Sequence, residues 1–323
     1  MQQKNLIILA IETSCDDTSI AINKNGNLLC NVTETSLKQH QEYGGIVPEI
    51  ASRSHCELID KVFKQALKLA NINIKDITHI AYTSQPGLIN SLHIAKVYAK
   101  QLASMLKIPL IPLDHMIGHV FSYYVDHNDL SVSFPFLSLV VSGGHTFIAK
   151  FYNYDKYEIL NSTIDDAVGE ALDKIGRALN LKYPGGISID DIYDESKATI
   201  KIINHSSSSI NFSFSGVKTA TLNIINQANM KSDKIDTISI ASSFLKWCID
   251  DLLKKTQYYL SINKDIKTIV LSGGVSANRL LREKILQLKN YEILLPNLKY
   301  TGDNAAMMAI YAYLLIKMKL KNI

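Results

Sequence analysis

Leu6-Ile-Ile-Leu-Ala-Ile-Glu-Thr-Ser-Cys-Asp-Asp-Thr-Ser-Ile-Ala-Ile-Asn23 is the stretch that decides how this chain folds. Leu6 to Ile11 is a continuous apolar run, as expected of a strand covered on both faces. Glu12 to Thr18 then forms a polar turn, and Ser19 to Asn23 reads as a second strand. The same plan returns as the strand Phe136-Leu-Ser-Leu-Val-Val141, the turn Ser142-Gly-Gly-His-Thr146 and the strand Phe147 to Phe151. Two such units with little identity between them, each opening one half of the chain, point to an ancient duplication.

Outward from these units the pattern alternates between helix and strand. Pro48 to Asn71 places Ile59, Val62, Phe63, Ala66, Leu67 and Ala70 at helical spacing. Ile77 to Tyr82 is a strand, Leu88 to Leu106 a helix after the Pro86-Gly87 turn, and Ile108 to Ile111 a short apolar strand. In the second half, Asp165 to Leu179 is helical, Tyr183-Pro-Gly-Gly186 is a turn, and Ile235 to Leu260 is a long helix. The buried strand Lys267 to Leu271 runs through Ser272-Gly-Gly-Val-Ser-Ala-Asn278 into a helix near Arg279. Asn204 to Ser209 is the expected flexible loop. This alternation argues for an α/β protein, and 323 residues suffice for two domains. Their expected extents are 1–133 with 301–323, closed by the C-terminal helix, and 134–300.

Composition narrows the class further. An apolar fraction of 47% and a charged fraction of 20% are those of a soluble globular protein. The formal net charge of +4 tolerates a nucleic-acid partner without requiring one. Cys15, Cys30, Cys56 and Cys248 form no C-x-x-C pair, which argues for a reducing compartment and against disulfides or a cysteine zinc site. No secretory pattern precedes Leu6, and the apolar run Ala305 to Ile316 is too short to span a bilayer. The expected location is therefore the cytoplasm, with no membrane partner.

His115 and His119, in Leu113-Asp-His-Met-Ile-Gly-His-Val-Phe121, carry the strongest chemical signal. On a helix they project from one face, a spacing suited to two ligands of one metal ion. Pro112 and Asp114 make a helix start just ahead, at the end of an apolar strand where α/β sheets open their clefts. The spacing alone also admits two structural histidines hydrogen-bonded at a helix end. A third ligand should be a carboxylate or histidine from elsewhere. Asp303, before the last helix, offers one, although an Asp there is otherwise an ordinary N-cap. Two histidines and an aspartate would leave positions open for a substrate oxygen, as in a Lewis-acid site. A zinc peptidase needs Glu directly after the first His, and that residue is Met116.

Three polar turns carry small residues where a backbone must approach a ligand. Glu12 to Thr18 offers carboxylates and hydroxyls, and Ser142-Gly143-Gly144 offers N–H groups at a strand end. Gly273-Gly274 offers a further nest before a helix, with Asn278 close behind. This is the nucleotide-cleft layout of the actin, Hsp70 and sugar-kinase fold.

The chain resembles the TsaD family of tRNA N6-adenosine threonylcarbamoyltransferases, once described as O-sialoglycoprotein endopeptidases. The resemblance rests on Ile11-Glu-Thr-Ser-Cys-Asp-Asp-Thr18, Tyr43-Gly-Gly-Ile-Val-Pro-Glu49, His115-Met-Ile-Gly-His119 and Leu139-Val-Val-Ser-Gly-Gly-His-Thr146. It continues through Asp165-Asp-Ala-Val-Gly-Glu-Ala-Leu-Asp173, Tyr183-Pro-Gly-Gly186 and Asn211-Phe-Ser-Phe-Ser-Gly-Val-Lys-Thr219. Ser272-Gly-Gly-Val-Ser-Ala-Asn-Arg279 and Thr301-Gly-Asp-Asn304 complete it, so that nearly the whole chain is covered.

The resemblance implies an actin-like ATPase fold, two duplicated RNase H-like lobes with a ligand cleft between them. It implies one divalent metal, iron (Fe²⁺) or zinc, on His115, His119 and Asp303. It further implies threonylcarbamoyl adenylate held by Val140, Val141, Ser142, Gly143, Gly144, Asp173, Gly186, Asp190 and Asn278. Implied partners are tRNA, a paralogous TsaB-like subunit and a small TsaE-like ATPase. The proton acceptor is not part of that pattern, and Glu12 and Asp16 are the candidates. The chain departs from the family at Ile117 (often Glu), Gln85 (usually Gly), Ile187 (usually Pro) and Ala305 (usually Gly). It also lacks the basic C-terminal extension of many members, which bears on tRNA contact rather than on the chemistry. An ATP-dependent small-molecule kinase of the same fold and a non-catalytic nucleotide-binding assembly subunit remain the alternatives.

Overall fold

The computed structural model describes residues 5–127, 129–202, 210–230 and 236–321, so Asn204 to Ser209 and the expected helix start at Ile235 lie outside the described residues. The first elements are β1 (Ile7–Glu12), β2 (Asp17–Lys24), β3 (Asn27–Thr35), α1 (Leu37–Gln41) and α2 (Pro48–Ala70). β4 (His79–Gln85), α3 (Ile89–Leu106), β5 (Leu110–Asp114) and α4 (His115–Phe121) follow. Then come β6 (Phe136–Val141), β7 (Thr146–Phe151), β8 (Tyr157–Ser162), α5 (Val168–Ala178), α6 (Gly185–Asp191) and α7 (Ser215–Met230). The chain ends with α8 (Thr237–Ile262), β9 (Thr268–Ser272), α9 (Arg279–Ile285), β10 (Glu292–Leu294) and α10 (Ala305–Lys321).

The strands form two five-stranded sheets, ordered β3-β2-β1-β4-β5 and β8-β7-β6-β9-β10. Adding five to each label of the first sheet yields the second. In each, the first three strands in sequence pair antiparallel, and the remaining two join in parallel. The duplication suggested by two apolar strand pairs therefore extends to the whole sheet topology.

The chain separates into two compact units, one built from the chain up to Val132 and again from Pro296, the other from Ser133 to Leu295. Residues 296–300, expected with the second lobe, belong to the first. Tyr300 Oη donates to Asp126 Oδ1 at 3.1 Å, and Lys299 pairs with Asp126 Oδ2 at 2.9 Å, which ties that segment down.

Period-two alternation builds the first unit's core. Leu9, Ile11, Ile20 and Ile22 pack with Val62 and Phe63 of α2 and Ala95 and Ala99 of α3. α10, buried from Ala305 to Leu314, lies against β1, β2 and β3. In the second unit, Leu137, Leu139, Val141 and Ile148 share a core with Val168, Leu172 and Ile175 of α5 and Phe244 and Ile249 of α8. The sequence pattern does not reveal the strands β3, β8 and β10 or the helices α1, α6 and α7. β3 and β8 are sheet edges with many exposed positions, so their apolar signal is weak.

α5 begins at Val168 rather than at Asp165, because the Asp165 carboxylate is used elsewhere. It accepts from Ser213 Oγ and Ser215 Oγ, both at 2.6 Å, and from the amides of Phe214 (2.8 Å) and Ser215 (3.2 Å), where α7 begins. Burial opposes ionisation here, but these donors win and hold the carboxyl below the ordinary Asp range. A depressed folded pKa adds stability above the unfolded value near pH 4, and that stability is lost as pH falls through the folded pKa. Asp165 is exposed, so solvent screens these bonds, and Asp165→Ala is expected to destabilise the second unit by only about 0.5 kcal/mol at neutral pH. Urea midpoints should show the deficit shrinking in acid, where the wild type loses the same ionised acceptor by protonation.

Candidate metal centre and substrate turns

β5 ends on Asp114, whose side chain accepts from the amides of Met116 (2.9 Å) and Ile117 (3.1 Å) and starts α4. His115 and His119 thus occupy successive turns of one face, with ring centroids 4.7 Å apart and ring planes at 86°. Both rings are buried. Asp303 Oδ1 meets both of them, at 3.4 Å from His115 Nε2 and 3.2 Å from His119 Nε2.

Asp303 is not the N-cap of the last helix. Asn304 takes that role, its Oδ1 accepting from Met307 N at 2.9 Å. The other leading amides are met from the sheet: Ala305 N donates to Ser19 Oγ and Ala306 N to Asn31 Oδ1, each at 2.9 Å. Asp303 is thereby free to face the histidines. Ser19 and Asn31 escaped the sequence reading. Ser19 is a polar residue on a strand otherwise patterned for burial, whereas Asn31 sits on the largely exposed β3 and carries no such signal.

The turn after β1 completes the group. Glu12 is fully buried and accepts from Ser14 N at 2.6 Å and from Thr83 Oγ1, and it lies 3.1 Å from His115 Nδ1. Ser14 Oγ is also 3.1 Å from that nitrogen. Gly87 supports Ser14 from behind: a Cβ there would sit 2.6 Å from Ser14 O, so only glycine allows the approach. Asp16, the other candidate acceptor, does not touch the histidines. It is half-buried, and its carbonyl accepts from Ser36 N and Oγ at 3.1 and 2.9 Å.

The electrostatics suit a cation. Burial works against the Asp303 carboxylate, but His115 and then His119 outweigh it and hold its pKa low. For His115, burial is outweighed in turn by Asp303 and Glu12, which raise it well above the ordinary value. Burial lowers His119, with the Asp303 bond opposing. Asp17 is pushed up to about 7 by burial and by neighbouring Asp16. One coordinating atom from each of His115, His119 and Asp303 lies within 4.8 Å of the others. Two imidazoles and a carboxylate converging beside the buried Glu12 fit a divalent metal with positions left open.

The expected substrate residues lie in the second unit. Val140 and Val141 are buried at the end of β6. The following turn is closed by Ser142 N donating to His145 O (2.8 Å) and His145 N donating to Ser142 Oγ (3.0 Å). A Cβ on Gly143 or Gly144 would meet nothing within 4 Å, so their backbone faces open space. Asp173 on α5 accepts from Gly186 N at 3.1 Å. Asp190 on α6 accepts from Asn278 Nδ2 at 2.9 Å and Arg279 Nε at 3.2 Å, while Asn278 Oδ1 caps α9 through Leu281 N at 2.9 Å. The fold therefore joins Asp173 to Gly186 and Asp190 to Asn278. Ile187 lies exposed between them and disturbs neither pair.

Three glycines set these turns, and of them the sequence reading singles out only Gly273, as part of a nest. A Cβ on Gly169 would lie 2.6 Å from Ser142 O, one on Gly176 2.6 Å from Gly185 Cα, and one on Gly273 2.4 Å from Val141 O. Gly169 and Gly176 stand seven apart on one helical face, a pattern legible in the chain but meaningless until its partner turns are known.

Two duplicated α/β sheets of this order, one unit carrying a His-His-Asp group that could hold a metal and the other glycine turns, define a protein of the actin-like fold. Among solved structures, full-length HypF in its phosphate- and nucleotide-bound form is similar with a TM-score of 0.62 and 13% identity, over 98% of this chain and 47% of that one. HypF of T. kodakarensis gives 0.63 and 13%, over 98% and 49%. The family profile described as TsaD, tRNA N6-adenosine threonylcarbamoyltransferase, matches residues 27–310. Enzymes of that name are 46% identical in Ureaplasma parvum serovar 3 (99% of this chain, 98% of the relative) and 44% identical in Clostridium beijerinckii (95% and 92%). The chain belongs to the TsaD family of tRNA N6-adenosine threonylcarbamoyltransferases.

Proposed function

We propose that this protein transfers the threonylcarbamoyl group from threonylcarbamoyl adenylate to N6 of adenosine-37, in tRNAs reading codons that begin with adenine, and releases AMP. End-to-end similarity to enzymes named for this activity carries the reading, and the His115–His119–Asp303 group supports it. In this reading those three side chains hold Fe²⁺ or Zn²⁺, which when bound supplies a Lewis acid against developing negative charge.

The remaining chemistry falls to the chain. The adenylate is a mixed anhydride, already activated, so no enzyme nucleophile is needed. The adenosine amine forms a C–N bond to the carbamoyl carbon, the C–O bond to phosphate breaks, AMP leaves and the amine gives up a proton. The open Ser142–Gly144 turn, at the end of the Val140–Val141 strand, offers backbone N–H groups to the phosphate. Asp190 with Asn278, and Asp173 with Gly186, are proposed to orient the nucleoside. Positioning of this kind removes much of the barrier by itself. Burial and the Asp303 charge push the Cys15 thiol up, which suits it poorly for attack. Burial also raises the Asp16 carboxyl, our candidate for the amine proton.

The proposed partners are tRNA, a paralogous TsaB-like subunit and a TsaE-like ATPase, and the proposed location is the cytoplasm. Among the described residues no helix is long and apolar enough to cross a membrane. A single-turnover assay tests the whole reading. Wild type with both partners, given threonylcarbamoyl adenylate and unmodified tRNA, is expected to form the modified adenosine, and His115→Ala to form none. A folded, metal-loaded wild type that makes no product would move the assignment to a non-catalytic assembly subunit.

A further inference from the structure

We infer that Glu12 is the positioning carboxylate of the metal centre, setting the tautomer and orientation of His115 rather than taking the substrate's proton. The inference rests on the metal reading above. Its origin lies in the sheet. β1, β4 and β5 run parallel and adjacent, with Ile11 paired to Tyr82 and Thr83 to Leu113. Their C-terminal ends therefore deliver Glu12, Thr83 and the Asp114–His115 junction to one edge.

Every contact of Glu12 points inward. Oε1 accepts from Ser14 N at 2.6 Å, while Oε2 accepts from Thr83 Oγ1 and faces His115 Nδ1 at 3.1 Å. With 0% of its surface exposed, it has no free side from which to reach an adenosine amine. A carboxylate held by such donors only accepts, so the proton of the third contact resides on His115 Nδ1. That leaves Nε2, the nitrogen 3.4 Å from Asp303 Oδ1, as the ligating atom. The support is one-sided: His119 Nδ1 is buried and has no hydrogen-bond partner among the described residues. Of the two histidines, only His115 is backed by a carboxylate.

The test uses the full-length protein with Zn²⁺ as probe. Affinity is read by competition with a chromophoric chelator, and the His115 Nδ1 proton by NMR of the zinc-loaded, ¹⁵N-labelled protein. Glu12→Ala is expected to weaken zinc binding by about 10- to 100-fold and to lose the slowly exchanging Nδ1–H resonance. Glu12→Gln, whose amide oxygen still accepts, should recover most of the affinity and keep the resonance. A role limited to filling space would leave that resonance in place in all variants, and this result would overturn the inference. So would Glu12→Ala binding zinc within about twofold of wild type. Should Glu12→Ala not fold, Thr83→Val, which removes the hydroxyl that holds Oε2, is expected to weaken binding several-fold, and unchanged affinity there also counts against the role. A wild type that binds no zinc overturns the metal reading itself, a different outcome from a binding wild type with indifferent variants.

Discussion

Asp303→Ala is expected to yield a folded protein that retains almost no metal and transfers threonylcarbamoyl groups on the order of 10³-fold more slowly in a single turnover. Among the described residues, Asp303 Oδ1 is the one carboxylate oxygen that meets both His115 Nε2 and His119 Nε2, at 3.4 and 3.2 Å. Two neutral imidazoles without it make a poor site for a divalent cation in competition with water. The fold should tolerate the change. The α10 amides keep Ser19, Asn31 and Asn304 as acceptors, and the carboxyls of Asp16 and Asp17 lose a repulsive neighbour. The readouts are metal per chain, the single-turnover rate and the melting temperature. Full activity in a metal-free variant would refute the centre as assigned, and a collapse in melting temperature would show Asp303 to be a structural anchor instead.

The largest stability effect is expected from Gly273→Ala. Gly273 has φ +89°, a left-handed conformation that costs an L-residue about 1–2 kcal/mol. The added Cβ would also lie 2.4 Å from Val141 O and 2.8 Å from its carbonyl carbon. Those atoms belong to β6, which is paired to β9 with Val140 opposite Ser272, so they cannot yield without opening the ladder. Together the two effects should destabilise the second unit by about 3–5 kcal/mol, at the diagnostic end of single substitutions. Gly274→Ala is the control: its Cβ meets nothing within 4 Å, and its stability should stay within about 0.5 kcal/mol of wild type. Urea unfolding measures both. A loss below about 1 kcal/mol at Gly273 would mean the turn relaxes away from Val141.

Much of this was legible along the chain because it is local. β1 announces itself through the unbroken apolar run Ile7 to Ile11, and β6 through a run interrupted only by Ser138, since both faces of each are covered. The Asp114 cap, the histidine spacing and the Gly-Gly turns are relations within a few residues, and a sequence displays those directly. The edge strands β3 and β8 stayed hidden because half-exposed residues carry little pattern, and α5 was drawn too long because Asp165 looks like a helical residue until Ser213 and Ser215 claim it.

What the sequence by itself determined is therefore the α/β alternation, the duplicated opening units, the histidine pair on α4 and the family. Only the tertiary structure decided which polar residues meet. It brought Glu12 across 103 positions to His115 Nδ1, and joined Asp190 to Asn278 across 88. It set Ser19 and Asn31 on the amides of α10, so that Asn304 caps and Asp303 faces the two histidines. The physical reason is the same in each case. A helix or strand is specified by interactions a few residues apart, whereas a buried polar group must find a partner wherever the sheet order places one.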